Sequence, residues 1–215
     1  MKRKVIEVDI TSDVVCPWCV IGYKQLEKAL ERFDEVITAN IRWHPFELNP
    51  NMLQGGENLR EHLAQKYGTT LEGSIRARKN ITNIGAALGF NFDYADDMRI
   101  YNTSKAQQLL FWASDSGKQT ELKLKLFEAY FTYRLPLDDT ETLLALVKEL
   151  HMKVEDARIA LESAVYADVI SAQERNTRRR GVTAVPTVVF DRKYMVQGAQ
   201  GIDTYINIIE NLTRA

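Results

Sequence analysis

The 215 residues predict an α/β chain with a long helical interruption, and three patterns carry that reading. Apolar residues alternate near the amino terminus, recur at helical spacing through the middle, and alternate again after Pro186. Over residues 4 to 11, Ile6, Val8 and Ile10 alternate with Val5, Glu7 and Asp9, which predicts a strand because successive side chains of a strand point to opposite faces. From Pro17 to Arg32 the spacing of Val20, Tyr23, Leu26 and Leu30 predicts a helix. Ile37, Ala39, Ile41 and Trp43, set against Thr38, Asn40 and Arg42, predict a second strand, and a β-α-β unit of this kind implies parallel pairing.

Between residues 57 and 165 the strand signal disappears. Gly68, Gly89 and Gly117 each follow an amphipathic stretch, as a glycine that ends a helix does. Thr69 and Glu72 have capping-box spacing, and Asn102 can cap the stretch bearing Ala106, Leu109, Leu110 and Ala113. Leu122, Leu126, Ala129, Tyr130 and Tyr133 form another stripe before Pro136, followed by Leu143, Leu144, Val147 and Leu150. A helix through Val165, Val169 and Ala172 runs to Arg178, Arg179 and Arg180, with Gly181 as its stop. Basic residues in that last turn suit the helix dipole. A turn at Asp191 to Lys193 then predicts a hairpin, and Ile202, Tyr205, Ile206, Ile209 and Leu212 predict a closing helix. This order divides the chain into one domain made of residues 1–56 and 166–215 and an all-helical insertion at 57–165.

Composition narrows the function. With 45% hydrophobic and 27% charged residues, 11 Gly and 5 Pro, the chain is neither disordered nor collagen-like. A net charge of −1 provides no protein-wide field for a polyanion, so neither nucleic acid nor a membrane surface is expected as a partner. Glu7 and Asp9 interrupt what would have to be the apolar core of a signal peptide, and no run approaches the roughly 18 apolar residues that span a bilayer. The expected location is therefore cytoplasmic.

The only two cysteines, Cys16 and Cys19, lie where the first strand passes into the first helix. A sulfur at a helix start meets unpaired N–H groups and the positive end of the dipole, so Cys16 is the expected nucleophile. Pro17 suits a first helical position, where its missing N–H had no partner. Cys19, three residues on, shares nearly the same face and is the expected resolving thiol. Structural zinc would need four ligands, and His44, His62 and His151 are dispersed. Inert thiols or a structural disulfide also fit a bare C-x-x-C, and it is the strand-to-helix setting that favours redox chemistry. Farther on, a trans proline opening a strand accounts for Val185-Pro186 by chain chemistry alone, since few X-Pro bonds are cis.

Several segments together resemble the DsbA family, and within it the FrnE-like branch. They are Asp13-Val14-Val15-Cys16-Pro17-Trp18-Cys19-Val20-Ile21-Gly22, Trp43 to Pro50, Asn102-Thr103 with Ala106, Ala129-Tyr130-Phe131, Val185-Pro186 and Val196 to Gln200. The resemblance covers nearly the whole chain and implies a thioredoxin-like fold interrupted by the helical insertion. It also implies a thiol-disulfide oxidoreductase or isomerase in which Cys16 attacks disulfides, Cys19 resolves the mixed disulfide, and a cis Val185-Pro186 segment faces the pair. Pro17, Trp18, Val185 and Pro186 are then supporting residues. His44, Asn102 and Thr103 are candidates for the substrate groove.

Three features depart from the family pattern: Gln107 stands where relatives commonly carry His, Thr187-Val188 replaces a Phe-rich segment, and Trp18 stands where the oxidase DsbA has His. The last predicts a less oxidising couple than that enzyme's. Partners implied are protein or small-molecule disulfides and thiols, glutathione among them, and no bound cofactor or metal is required. Two other readings compete. Glutathione-dependent isomerases and transferases, related to 2-hydroxychromene-2-carboxylate isomerase and the kappa-class glutathione transferases, resemble the same motif but generally bear Ser where Cys16 lies, and would bind glutathione as a cofactor. A non-catalytic adaptor would hold a partner in an apolar groove and survive loss of both thiols.

Overall fold

The computed structural model describes residues 3–163 and 166–214. Val165, and with it the expected boundary at 165, lies outside the described residues. Strand β1 (Lys4–Ser12) leads into helix α1 (Pro17–Glu31), which returns to β2 (Ile37–Pro45). β1 and β2 pair in parallel from Lys4↔Ile37 to Ser12↔Pro45, as the β-α-β pattern predicts. On its other side β1 meets β5 (Thr187–Phe190) antiparallel, and β5 continues as a hairpin into β6 (Tyr194–Gln197), so the sheet order is β2-β1-β5-β6. Asp191 and Arg192 take positive φ values of 46° and 56° to make the hairpin turn.

One sheet face carries Ile6, Val8, Ile10, Val188 and Phe190, all at most 1% exposed. α1 and the closing helix α9 (Ile202–Arg214) pack there, with the Phe190 ring 6.0 Å from Tyr205 and Trp43 5.1 Å from Tyr23. Each large apolar side chain buried in this way contributes roughly 1.5 to 3 kcal/mol of transfer free energy.

Between the two parts of this sheet lie α2 (Leu59–Tyr67), α3 (Leu71–Ala87), α4 (Ser104–Ser114), α5 (Gln119–Phe131), α6 (Thr140–Glu149) and α7 (Val154–Glu162), followed by α8 (Ala167–Arg179). The segment is not wholly helical: β3 (Glu57–Asn58) and β4 (Arg99–Ile100) form a small antiparallel pair. Two residues are too few to show an alternation, and the pair is held by Arg99, whose guanidinium donates to the carbonyls of Gly55 and Gly56 at 2.7 and 2.6 Å. The cap of α3 is Thr70 rather than Thr69, its hydroxyl accepting from Gly73 N–H at 3.1 Å. Asn102 does cap α4, from one position outside: its side chain accepts from Ser104 N–H at 2.9 Å. No helix among the described residues is long and apolar enough to cross a membrane.

α5 closes the free edge of the sheet. The Gln119 amide accepts from Trp43 N–H at 2.9 Å and donates to the Trp43 carbonyl at 3.0 Å, supplying the backbone partners that an edge strand lacks. Thr120 takes the Trp43 indole N–H at 3.0 Å. This fixes the face of α5 one turn later, where Lys123 and Phe127 point inward.

Candidate active site

The site is built where β1 ends and α1 begins. Cys16 is the N-cap of α1 (φ −94°, ψ 112°), Pro17 opens the first turn, and Cys19 N–H bonds the Cys16 carbonyl at 3.0 Å. Both thiols are free, with Cys16 5% and Cys19 1% exposed, while Trp18 between them is 41% exposed. β5 begins directly after a cis Val185-Pro186 bond, and its pairing Thr11↔Thr187 brings that segment beside the cysteines. Cys16 Sγ lies 3.8 Å from the Val185 carbonyl oxygen. Gly22 makes room for this approach, since a Cβ there would stand 2.9 Å from Pro186 Cγ.

The two thiols act on each other's ionisation. Hydrogen bonding to Cys19, and then burial, push the Cys16 thiol well above the ordinary range. Burial opposes ionisation of Cys19 too, but hydrogen bonds from Cys16 and Ser12 and the Lys123 charge outweigh it and draw Cys19 down. The influences on Cys16 run against the lowering expected of a helix start, and the inner sulfur is the more readily ionised of the two, while the outer one is the more accessible.

Beneath the pair the residues are polar and sealed. Asp13 is fully buried; one carboxyl oxygen accepts from Leu48 N–H at 2.8 Å, the other has no partner, and burial raises its pKa against the opposing influences of Leu48, Lys123 and Thr103. The Ser12 carbonyl accepts from Gln107 Nε2 at 3.2 Å and from Lys123 Nζ at 3.4 Å. Gln107 also donates to the Phe46 carbonyl at 3.1 Å. Tyr205, fully buried on α9, keeps an unpartnered hydroxyl, and its pKa is raised by burial first and then by Cys19.

Of the residues singled out from the sequence, Cys16, Pro17, Trp18, Cys19, Val185 and Pro186 come together. Thr103, 2% exposed, faces Asp13 under the pair rather than a groove. His44 is held by Asp9 at 2.7 Å across the parallel strands, on the sheet face away from Ile10. The Asn102 amide is occupied by Met52 and Ser104 backbone groups. No structural contact ties His44 or Asn102 to the sulfurs. The sequence reading missed Lys123. Its signal is faint: it lies four and eight residues before Phe127 and Phe131, in line with an apolar face.

The model of the DSBA-like thioredoxin domain matches residues 7–210. The chain belongs to this DSBA-like family. Among its relatives, the uncharacterized protein YwbO of Bacillus subtilis is 24% identical over 207 residues, 96% of each chain. The crystal structure of a probable DsbA oxidoreductase from Streptomyces coelicolor is 29% identical with a TM-score of 0.89, covering 96% of this chain and 89% of that one. The cytosolic disulfide reductase DsbM of Pseudomonas aeruginosa shares the fold at a TM-score of 0.66 and 18% identity, over 97% of this chain and 98% of that one.

Proposed function

We propose that this DSBA-like chain catalyses thiol-disulfide exchange through Cys16 and Cys19, in a cytoplasmic setting. The observation that carries the reading is the placement of two free thiols at the cap and first turn of α1, the outer one 3.8 Å from the Val185 carbonyl oxygen. Cys16, its proton passed to the Cys19 thiolate, attacks a substrate disulfide, forming a Cys16 mixed disulfide and expelling one thiolate. Cys19 then attacks Cys16, closing the Cys16–Cys19 disulfide and releasing the second thiolate. The protons that the pair gives up pass through solvent to the two released sulfurs, so the substrate is reduced by two electrons and the protein oxidised by two; oxidation of a dithiol is the reverse.

Trp18 and the main-chain edge at Val185 offer a surface to an extended peptide. Pro186, lacking an N–H, places no donor there. Glutathione is the small-molecule partner in this reading, supported by the likeness in fold to DsbM, which has also been solved with GSH. In the same reading, residues 1–56 and 166–215 carry the thiols and the peptide edge, and 57–165 is the insertion that seals them.

The fold is also that of 2-hydroxychromene-2-carboxylate isomerase, at a TM-score of 0.71 and 16% identity over 97% of this chain and 96% of that one. Two cysteines at exchange spacing favour the redox reading over an isomerase. The test is exchange with a fluorescent disulfide peptide and with oxidised glutathione. Cys16→Ser is expected to abolish both, and Cys19→Ser to arrest as a mixed disulfide on Cys16. Full exchange by Cys16→Ser would overturn the proposal, and a glutathione-dependent activity untouched by Cys19→Ser would favour the isomerase class.

A further inference from the structure

Lys123 is 1% exposed, and the exchange steps above make no use of it. Its ammonium donates to the Ser12 carbonyl at 3.4 Å and lies 5.2 Å from the Trp43 ring centroid and 5.1 Å from that of Phe127. Two ring faces and one carbonyl are partial compensation for desolvating a full charge. It forms no ion pair with a carboxylate among the described residues. The titratable groups that face it are Asp13, Cys16 and Cys19. Asp13 is sealed, and the carboxyl oxygen that has a partner is engaged by Leu48. Asp13 is beyond ion-pair distance of the ammonium, and the sulfurs, four and seven residues beyond Ser12, are the other groups whose negative charge it faces, Cys19 foremost.

We propose that Lys123, delivered by α5 of the inserted helices, is a positioning residue whose ammonium group is the counter-charge for the negative charge shared by Cys16 and Cys19. The proposal rests on the exchange reading, because only a reactive pair needs a thiolate held in a dry site. It also gives the insertion a chemical role: the Gln119 and Thr120 contacts that seal the sheet edge at Trp43 set the position of this charge. Burial lowers the pKa of Lys123 to about 8, with Cys19, Asp13 and Cys16 opposing, so the group remains mostly charged at neutral pH.

A charge that stabilises the thiolate stabilises the reduced protein, and so makes the couple more oxidising. In full-length reduced protein, Lys123→Met is expected to slow alkylation of the pair near neutral pH by about tenfold, the equivalent of a one-unit rise in the thiol titration followed by thiolate absorbance. The redox equilibrium with glutathione is expected to shift about tenfold toward the disulfide, or about 30 mV more negative for a two-electron couple. Lys123→Arg, which keeps the charge, should recover most of the alkylation rate.

A residue that merely packs would lower the stability of both redox forms equally. Here the loss is expected in the reduced form, with the oxidised Lys123→Met protein unfolding no earlier than wild type. Lys123→Gln repeats the measurement if the Met variant does not fold. An unmoved thiol titration, or equal destabilisation of both forms, overturns the proposal. The titration needs no substrate, so a chain that exchanges no disulfide yet shows the shift would defeat the exchange reading and leave the Lys123 assignment standing.

Discussion

Trp18 stands in the first turn of α1 with its indole partly in solvent, so replacing it alters the surroundings of Cys16 without opening the core. Trp18→His places an imidazole near the sulfur, where its charge would stabilise thiolate and hence the reduced form. The expected outcome is a more oxidising couple, read as a glutathione equilibrium displaced by about tenfold, or about 30 mV. An unchanged equilibrium would count against local electrostatics as the tuning mechanism. Gly22 is the second single-residue test. In Gly22→Ala the new methyl meets the Pro186 ring at 2.9 Å, a contact that real Cβ atoms do not make, so one side must shift. Overpacking of this kind costs about 1 to 3 kcal/mol. Urea unfolding should register that cost, and exchange with peptide disulfides should fall more than alkylation of Cys16; equal stability would show that the segment yields freely.

At the scale of elements, two acidic side chains, Glu47 just past β2 and Glu174 on α8, meet at the junction of the sheet with that helix. Glu47, 7% exposed, is pushed up to about 7 by burial, with Glu174 and Asp13 adding to the rise. Glu174 on α8 has one buried carboxyl oxygen without a partner, and burial raises it too. Arg178, one helical turn on, donates to the Glu47 carbonyl at 3.3 Å and lies 4.1 Å from the Phe46 ring centroid. Because the folded chain holds the Glu47 proton above the ordinary glutamate value of 4.5, it binds more protons than the unfolded chain between about 4.5 and 7. Stability is therefore complete below that window and falls as pH rises through it, by on the order of 2 kcal/mol for this group. Glu47→Gln should flatten the fall when urea midpoints are measured across the range. A wild-type slope in the variant would move the effect to Asp13 or Glu174.

At the scale of the whole molecule, the inserted helices and the sheet meet through polar side chains at the base of the sulfur site. Gln107 of α4 joins Ser12, at the end of β1, to Phe46, just past β2. In Gln107→Leu the apolar shape is nearly kept, but two buried carbonyls lose a donor, at a cost of about 2 kcal/mol. The Ser12 carbonyl retains Lys123, so the greater loss falls at Phe46. A lowered urea midpoint together with slower exchange is expected. If stability falls with no change in exchange, Gln107 serves only to hold the two parts together.

The local features were legible in the sequence for local reasons. β1, α1 and the Asp191 hairpin follow from alternation, helical spacing and turn residues, each encoded within about ten neighbours. Cys16 at the cap and Cys19 one turn on follow from where the strand signal stops. The cis Val185-Pro186 bond follows only from resemblance, because chain chemistry alone favours trans. What lay beyond reach depends on segments distant in sequence. The β3–β4 pair is too short to show a period, and Thr70 displaced Thr69 as a cap by a one-residue shift that spacing does not specify. His44 chose Asp9, 35 positions away, rather than the cysteines. Lys123 reaches Ser12 across 111 positions. Periodicity tells which face of a helix is buried, but the face it packs against is set by tertiary packing. The tertiary structure alone therefore decided that a lysine of α5 would reach the Ser12 carbonyl, at the end of the strand that leads to the two cysteines.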